Sequence, residues 1–318
     1  MLTVASASEI LGISTHRVKQ ILEEKKILCE RSGAGNYARL IIPNESFRKL
    51  LSVRGFSYER NIVTIGQEKG GVGKSLITFN IAVNMARRGA KVLIIDLDPE
   101  ACITNLIITP RAGEGNFETI FEAIKHNKSF KDIIEPSRYD GIDIVGCKGV
   151  ARRVERIVGD QNPKKILKSK MDGLEKYDLI LFDVPPTFSR LISAAYLCSD
   201  LVIMPTFPDS WSIESIQLTI DDIHEDCSEF DNKVPEIKIL MNKFLPDRKA
   251  SRDAWAVLSR EFPDYLLPFQ IKESAALQNF VNEGLSIFET SGYAEIKDAI
   301  NNVSGVICPL VKQNEVTQ

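Results

Sequence analysis

The sequence lacks the cysteine patterns of disulfide-stabilised and metal-binding proteins. It has six cysteines, and none of them forms a C-x-x-C pair or another spacing typical of a metal site. We expect free thiols in a reducing compartment. No apolar run approaches the length of about 18 residues that a membrane-spanning helix needs. These absences predict a cytoplasmic protein without a membrane partner.

A strong overall basic charge is also missing. The formal net charge is −3 over 318 residues, so any contact with nucleic acid must use a local patch or a small subdomain. The hydrophobic content of 44% and the charged content of 26% are ordinary for a globular protein. The length allows one large domain with an appendage, or two medium domains.

A glycine-rich segment follows the apolar run 62–65 and precedes a predicted helix over 75–88. It reads Lys69-Gly70-Gly71-Val72-Gly73-Lys74-Ser75. Glu68 stands where the pattern G-x-x-x-x-G-K-[ST] has its first glycine, so this is a variant phosphate loop with an additional lysine, Lys69, at its mouth. Backbone N–H groups of such a loop converge on phosphate, and the helix N-terminus adds positive potential. We expect Lys74 to reach the terminal phosphates and the Ser75 hydroxyl to bind Mg²⁺.

Two further apolar runs are predicted to be buried strands that end in acids. Residues 91–96 lead to Asp96 and Asp98, and residues 177–183 end at Asp183. Strands alternating with helices predict an α/β fold of the P-loop NTPase type, with a mostly parallel twisted sheet flanked by helices. The ligand of such a fold lies beyond the carboxyl ends of the strands. We expect Asp183 and Asp96 to support Mg²⁺ and Asp98 to position the attacking water.

The first 57 residues follow a different pattern. Predicted helices over 5–12 and 15–25 flank a turn, residues 27–42 read as a β-hairpin, and a short helix follows to residue 51. This order resembles the winged helix-turn-helix domains of the MerR and excisionase type. It predicts such a domain over 1–57, a linker over 54–60 and a larger domain over 58–318. The residues expected to contact DNA are Arg17, Lys19, Gln20, Arg31 and Arg39. The alternative is a docking or dimerisation module of the same shape that does not bind DNA.

Three segments resemble motifs of the ParA/MinD ATPases. KGGVGKS, IDLDPE and YDLILFDVPP are similar to the deviant Walker A, Walker A′ and Walker B motifs, within residues 61–303. The resemblance implies ATP and Mg²⁺ as ligands, and a homodimer that forms with ATP. It implies catalytic roles for Lys69, which would cross to the partner's ATP, for Lys74 and for Asp98. The implied ATP-binding residues are Gly70, Gly71, Val72, Gly73, Lys74, Ser75, Leu76 and the adenine-recognising Asn242.

The sequence departs from the family pattern at several positions. Leu76 stands where the family usually has a second threonine on the α-phosphate, and Glu100 replaces the usual glutamine. These changes could slow hydrolysis. The tail over 303–318 contains Gly305 and Pro309 and a single lysine, which argues against the basic amphipathic membrane helix of MinD. The predicted N-terminal domain is instead typical of plasmid-type ParA proteins.

We therefore expect a ParA-like DNA-partitioning ATPase, associated with the nucleoid and stimulated by a ParB-like centromere-binding protein. Its ATP-bound dimer would bind DNA without sequence preference through basic surface residues. One candidate group is Arg248, Lys249, Arg252, Arg260 and Lys272, and another is Arg152, Arg153, Arg156, Lys164, Lys165, Lys168 and Lys170. Two alternatives stay open. One is a nucleotide-switched transcriptional repressor that uses the N-terminal domain, and the other is a ParA-like ATPase that positions a protein cargo.

Overall fold

The computed structural model describes residues 2–32, 39–108, 117–148, 151–159 and 161–313. The N-terminal part consists of strand β1 (Leu2–Thr3), helices α1 (Val4–Leu11) and α2 (Thr15–Glu24), strands β2 (Glu30–Ser32) and β3 (Arg39–Ile42), and helix α3 (Asn44–Val53). Gly12 ends α1 with a φ of 61°, and the Ser14 hydroxyl caps α2 by accepting a hydrogen bond from the Arg17 N–H. The strands form an antiparallel sheet in the order β1-β3-β2. The turn of the predicted hairpin lies outside the described residues.

Residues 54–60 do not form the predicted linker. They contain strand β4 (Phe56–Tyr58), which pairs antiparallel with a strand at Leu310–Lys312 near the other end of the chain. The Tyr58 hydroxyl also donates a hydrogen bond to the Arg88 carbonyl, at 2.7 Å. The linker prediction was wrong because the partner that makes this segment a strand is distant in sequence and leaves no local signal.

The larger part is built on a mostly parallel sheet, as predicted. Its strands are β5 (Asn61–Ile65), β6 (Val92–Asp96), β7 (Glu135–Pro136), β8 (Ile142–Val145), β9 (Leu179–Asp183), β10 (Leu201–Thr206), β11 (Glu236–Phe244) and β12 (Leu266–Lys272). They lie in the order β12-β11-β10-β5-β9-β6-β8-β7, in which β7 pairs antiparallel and the other described pairs are parallel. Every residue of β6 and β9 is buried, because helices cover both faces.

The helices form two layers around the sheet. One layer contains α4 (Lys74–Arg87) and α5 (Cys102–Ile107), and the other contains α6 (Ile120–Lys125), α7 (Ala151–Val158), α8 (Pro163–Ile166), α9 (Arg190–Cys198), α10 (Ser210–Glu229) and α11 (Lys249–Glu261). Helices α12 (Ala275–Asn282) and α13 (Ala294–Ile307) complete the first layer, and β13 (Leu310–Lys312) follows. No helix within the described ranges is long and apolar enough to cross a membrane.

Helices of the second layer also differ from the sequence prediction. The helix expected over 164–175 is only α8 and a short 3₁₀ turn at Lys168–Lys170. Helix α9 was not predicted. Its residues 191–197 are all buried, so it lacks the polar face that makes a helix recognisable from sequence periodicity.

Candidate functional site

The phosphate loop lies at the carboxyl edge of the sheet, between β5 and α4. Strand β9 pairs on one side with β5, where Asp183 is opposite Ile65, and on the other with β6, where Asp183 is opposite Asp96. Three adjacent strand ends therefore bring the loop and both acids together. Gly71 and Gly73 have φ values of 74° and 92°, a backbone conformation that favours glycine.

Ser75 and Asp183 are in direct contact. The Ser75 hydroxyl donates to Asp183 Oδ2 at 2.7 Å, and the Thr78 hydroxyl, one turn further along α4, donates to Oδ1 at 3.0 Å. Burial raises the pKa of Asp183 and the nearby Asp96 carboxylate raises it further, while the two hydroxyls lower it. A hydroxyl and a carboxylate side by side next to a phosphate loop fit Mg²⁺, which prefers oxygen ligands and shares them with substrate phosphates.

Asp96 is bonded to the loop that follows it. Its Oδ1 accepts the Asp98 N–H at 3.0 Å, and its Oδ2 accepts the Thr104 N–H at 3.0 Å and the Thr104 hydroxyl at 2.6 Å. Burial raises the pKa of Asp96, and these hydrogen bonds lower it. Both carboxylate oxygens thus hold the segment that carries Asp98, so any support of a metal ion by Asp96 would be indirect.

Thr78 and Thr104 were not among the predicted site residues, although both donate to the predicted acids. Thr78 lies three residues after Ser75, on the same face of α4, and this spacing could have indicated it from the sequence. Thr104 is eight residues from its partner Asp96, and no local pattern connects them.

Lys74 and Asp98 line a cleft of about 710 Å³ next to the loop. Both residues are 7% exposed, and Lys74 Nζ donates to the Lys69 carbonyl at 3.1 Å. Burial lowers the pKa of Lys74, and the Asp183 and Asp98 carboxylates oppose this shift. The cleft is further bounded by Leu76 of α4, Leu106 of α5, Val281 of α12 and Pro186 in the loop after β9. A buried ammonium group next to a cleft that the phosphate loop lines is suited to bind a phosphate group.

Lys69 makes an ion pair within its own chain. Its Nζ lies 2.7 and 2.8 Å from the two carboxylate oxygens of Asp209, in the segment after β10. The side chains of Lys69 and Asp209 are 25% and 40% exposed, so the pair lies at the surface. Asp209 was not predicted, because nothing near it in sequence relates it to the phosphate loop.

Asn242 braces the phosphate loop from β11. Its Nδ2 donates to the Val72 carbonyl at 2.8 Å, and its Oδ1 accepts the Lys243 N–H at 2.9 Å. A Cβ at Gly73 would lie 2.6 Å from Asn242 Nδ2, so a glycine is required there. Asn242 is 1% exposed and is not among the residues that line the cleft, so its recognition of adenine stays a prediction.

The candidate DNA-contacting residues lie on separate surfaces. In the N-terminal part, Lys19, Arg31 and Arg39 are exposed, whereas Arg17 lies 3.9 Å from Glu24 and Gln20 donates to the same carboxylate at 2.7 Å. Exposed basic residues also mark the start of α11, namely Arg248, Lys249 and Arg252. Lys272 is paired with Glu295 at 2.6 Å.

The second basic group contains residues that are not free surface cations. Lys170 is 4% exposed and donates to Asn127 Oδ1 at 2.9 Å, so its assignment to a solvated basic surface was wrong. Lys164 Nζ donates to the Asp231 carbonyl at 2.6 Å. The side chains of Arg152 and Arg153 lie outside the described residues.

The chain is similar in sequence and in fold to several known proteins. A protein-family model described as an AAA domain matches residues 60–234. The cell division protein PomZ of Myxococcus xanthus is 23% identical over 241 residues, which cover 74% of this chain and 75% of PomZ. The ATP complex of a Cyanothece McdA variant has a TM-score of 0.71 at 18% identity and covers 82% of this chain and 100% of that one. A solved partition protein has a TM-score of 0.69 at 16% identity and covers 96% and 92% of the two chains.

Proposed function

Because the chain belongs to the AAA domain family and has ParA-like relatives, we propose that it is a ParA-like DNA-partitioning ATPase. The observation that supports this most is the convergence of Lys74, Ser75, Asp98 and Asp183 at one edge of the sheet, with Lys69 at the start of the phosphate loop. This set contains a cation for phosphate, oxygen ligands for a metal ion and a carboxylate for water. It is the set that hydrolysis of a nucleoside triphosphate requires.

In this proposal the loop N–H groups and Lys74 hold the ATP phosphates, and Asn242 recognises the adenine. The Ser75 hydroxyl and Asp183 would hold Mg²⁺, which neutralises phosphate charge when it is bound. Asp98 orients the attacking water from a position fixed by Asp96. Phosphoryl transfer needs placement and charge neutralisation rather than covalent catalysis, so these groups suffice.

Lys69 would connect hydrolysis to dimerisation. In the proposed homodimer it leaves Asp209 and stabilises charge on the ATP of the second subunit, the role that an arginine finger has in other NTPases. Each cleft is then complete only in the dimer. The ATP-bound dimer would also bring together two copies of the basic surface at the start of α11. Such a surface binds the phosphates of any DNA sequence and makes the affinity dependent on salt.

The partner would be a ParB-like protein that stimulates hydrolysis and thereby releases the dimer from DNA. Leu76, in place of the usual threonine, is consistent with slow hydrolysis in the absence of that partner. We propose the domain boundaries 1–57 and 58–318, with β4 and β13 joining the two parts. The protein would act at the nucleoid.

A specific observation favours each of two other functions. The two helices and flanking hairpin of the N-terminal part have exposed cations at Lys19, Arg31 and Arg39, which suit a repressor that binds an operator. The relative PomZ is named a cell division protein, which suits the positioning of a protein cargo.

Fluorescence anisotropy with full-length protein separates these functions. We expect ATP-dependent, salt-sensitive binding to a duplex of random sequence, weakened by substitution of Arg248, Lys249 and Arg252 with glutamine. Binding to a single sequence that is lost with Lys19→Gln and Arg39→Gln would indicate the repressor instead. No binding to any duplex with ATP and Mg²⁺ would contradict DNA partition and favour a protein cargo.

A further inference from the structure

A second cavity lies where the N-terminal part meets the larger domain. It has a volume of about 370 Å³ and shares no lining residue with the nucleotide cleft. Four elements surround it: the start of α3, the last turns of α4, the loop before β8 and the segment after α12. Because α4 rises about 1.5 Å per residue, its end at Arg87 is roughly 20 Å from Lys74 at the phosphate loop. The cavity is therefore separate from the ATP site.

Arg87 brings a positive charge to this cavity without a carboxylate partner. Its guanidinium lies 4.7 Å from the ring centre of Phe288, which fixes its orientation. None of the ion pairs found in the described residues includes Arg87, and its Nε is buried without a hydrogen-bond partner. Burial, together with the smaller effect of the adjacent Arg88, lowers the pKa of Arg87 to about 10. Burial lowers the pKa of Lys297 and the charge of Arg87 lowers it further, so three cations lie near this end of α4.

Asn44 contributes a polar atom whose hydrogen-bonding capacity is unused. The residue is 4% exposed and lines the cavity. Its Nδ2 donates to the carbonyls of Ala86 and Ala90 at the end of α4, but its Oδ1 is buried without a hydrogen-bond partner. An amide oxygen only accepts hydrogen bonds, so the group that satisfies Oδ1 must be a donor, such as water or the hydroxyl of hydrogen phosphate or citrate.

The two acids of the cavity are already bonded to neutral donors. Asp140 Oδ2 accepts the Asn44 N–H at 3.2 Å. Glu289 Oε2 accepts the Tyr139 hydroxyl and the Ser286 N–H, both at 2.8 Å. The second arginine of the lining, Arg138, donates to the Gly284 carbonyl and to the Tyr139 hydroxyl. Both carboxylates lie in the lining and partly offset the charge of the two arginines, but neither forms an ion pair with Arg87 in the described residues.

We propose that this cavity binds a small anion with phosphate or carboxylate oxygens, held by the Arg87 guanidinium and assisted by Arg138. A planar guanidinium presents parallel N–H donors that match such oxygens in pairs. The volume lies in the range of pockets for small molecules. Because α3 and α4 both line the cavity, the bound anion stabilises the docking of the N-terminal part on the helix that begins at the phosphate loop.

Protection from chemical modification tests the site without changing it. The phosphate loop also binds anions, so the full chain carries Lys74→Ala, which weakens that competing site. Phenylglyoxal modification is followed by mass spectrometry in sodium chloride, inorganic phosphate or citrate at matched ionic strength. We expect modification of Arg87 to slow several-fold in phosphate or citrate, while exposed Arg248 changes by less than two-fold. An unchanged rate at Arg87, or equal slowing at both arginines, would overturn the proposal.

Thermal unfolding then assigns the chemistry of the anion. We expect the melting temperature of the Lys74→Ala chain to rise by about 2–4 °C in phosphate or citrate relative to chloride, at a concentration about ten times Kd. The rise should disappear with Arg87→Gln and persist with Arg248→Gln. A rise only in phosphate assigns a phosphate ligand, and a rise only in citrate assigns a carboxylate. An unchanged melting temperature in both anions, or an equal rise with Arg87→Gln, refutes the site. If Arg87→Gln does not fold, the protection measurement decides. ATP hydrolysis enters neither experiment, so their failure leaves the proposed function intact.

Discussion

Lys69 Nζ, at the start of the phosphate loop, forms an ion pair with the Asp209 carboxylate, with both oxygens within 2.8 Å. The pair occupies the lysine that the proposed dimer needs for the ATP of the second subunit. Because both side chains are partly exposed, the pair contributes at most about 1 kcal/mol. That is small enough for Lys69 to change partner when the dimer forms.

Removing the charge of Asp209 should therefore favour dimerisation. We expect Asp209→Asn to tighten the ATP-dependent dimer by up to about five-fold, the equivalent of about 1 kcal/mol, and to leave thermal stability nearly unchanged. Sedimentation velocity with ATP and Mg²⁺, in chains that also carry Asp98→Ala to prevent hydrolysis, measures the dimer constant. Asp221→Asn, which alters another acid of the same region, serves as the control. A weaker dimer with Asp209→Asn would show that Asp209 supports Lys69 rather than competing for it.

A hydroxyl at position 76 should strengthen ATP binding. Leu76 lines the cleft immediately after Ser75, where ParA/MinD ATPases usually have a second threonine. A new hydrogen bond to a charged phosphate contributes about 1–2 kcal/mol, so Leu76→Thr should bind ATP roughly five- to thirty-fold more tightly. Titration calorimetry measures the affinity, and Leu76→Val has the same shape without the hydroxyl. Equal affinities of the two variants would place Leu76 away from the phosphates.

The basic residues at the start of α11 should account for part of the salt dependence of DNA binding. Each phosphate contact that is lost reduces the slope of log affinity against log salt by about 0.9. Arg248, Lys249 and Arg252 are exposed, so we expect their replacement by glutamine to reduce the slope by at least one such unit. Lys272→Gln is the matched control, because Lys272 is already paired with Glu295. An unchanged slope of log affinity against log salt for the triple variant would show that DNA binds to another surface.

The contact between α3 and the larger domain should be important for stability. Arg48 donates through both Nη atoms to the Asp178 carboxylate and also to the Gly89 carbonyl. Arg48→Met removes these donors and leaves a largely buried carboxylate, whose side chain is 13% exposed. We expect a loss of about 1–3 kcal/mol, visible as a lower melting temperature. Lys49→Met, one residue along on the exposed face, should melt like the wild type, and equal melting of both variants would contradict this role.

The sequence predicted the sheet and the phosphate loop because both depend on local patterns. Unbroken apolar runs mark β6 and β9, and glycines with a following Lys-Ser mark the loop. The features that the sequence could not predict depend on partners that are distant in sequence. Asp209 faces Lys69 from a position 140 residues away. The same holds for β4, whose pairing with β13 turned a predicted linker into a strand.

The sequence also did not predict the buried polar contacts along α4. Asn80 accepts hydrogen bonds from Ser286 and Ile287, and Asn84 donates to Ser304 at 2.9 Å. An asparagine within an apolar helix suggests a solvent-exposed position when only local patterns are considered. Its partners here come from the far end of the chain, and their placement requires the complete fold.

The central claim is that Lys69 and Asp98 make dimerisation and hydrolysis one event at a shared ATP site. Size-exclusion chromatography with light scattering, in ATP and Mg²⁺, measures the oligomeric state of the wild type, Lys69→Ala and Asp98→Ala. ATP binding is verified separately for each chain. We predict that Asp98→Ala accumulates as a stable dimer, because ATP is not hydrolysed and the dimer does not dissociate. We predict that Lys69→Ala stays monomeric. An ATP-bound Asp98→Ala chain that remains monomeric, or a Lys69→Ala chain that dimerises like the wild type, would contradict the claim.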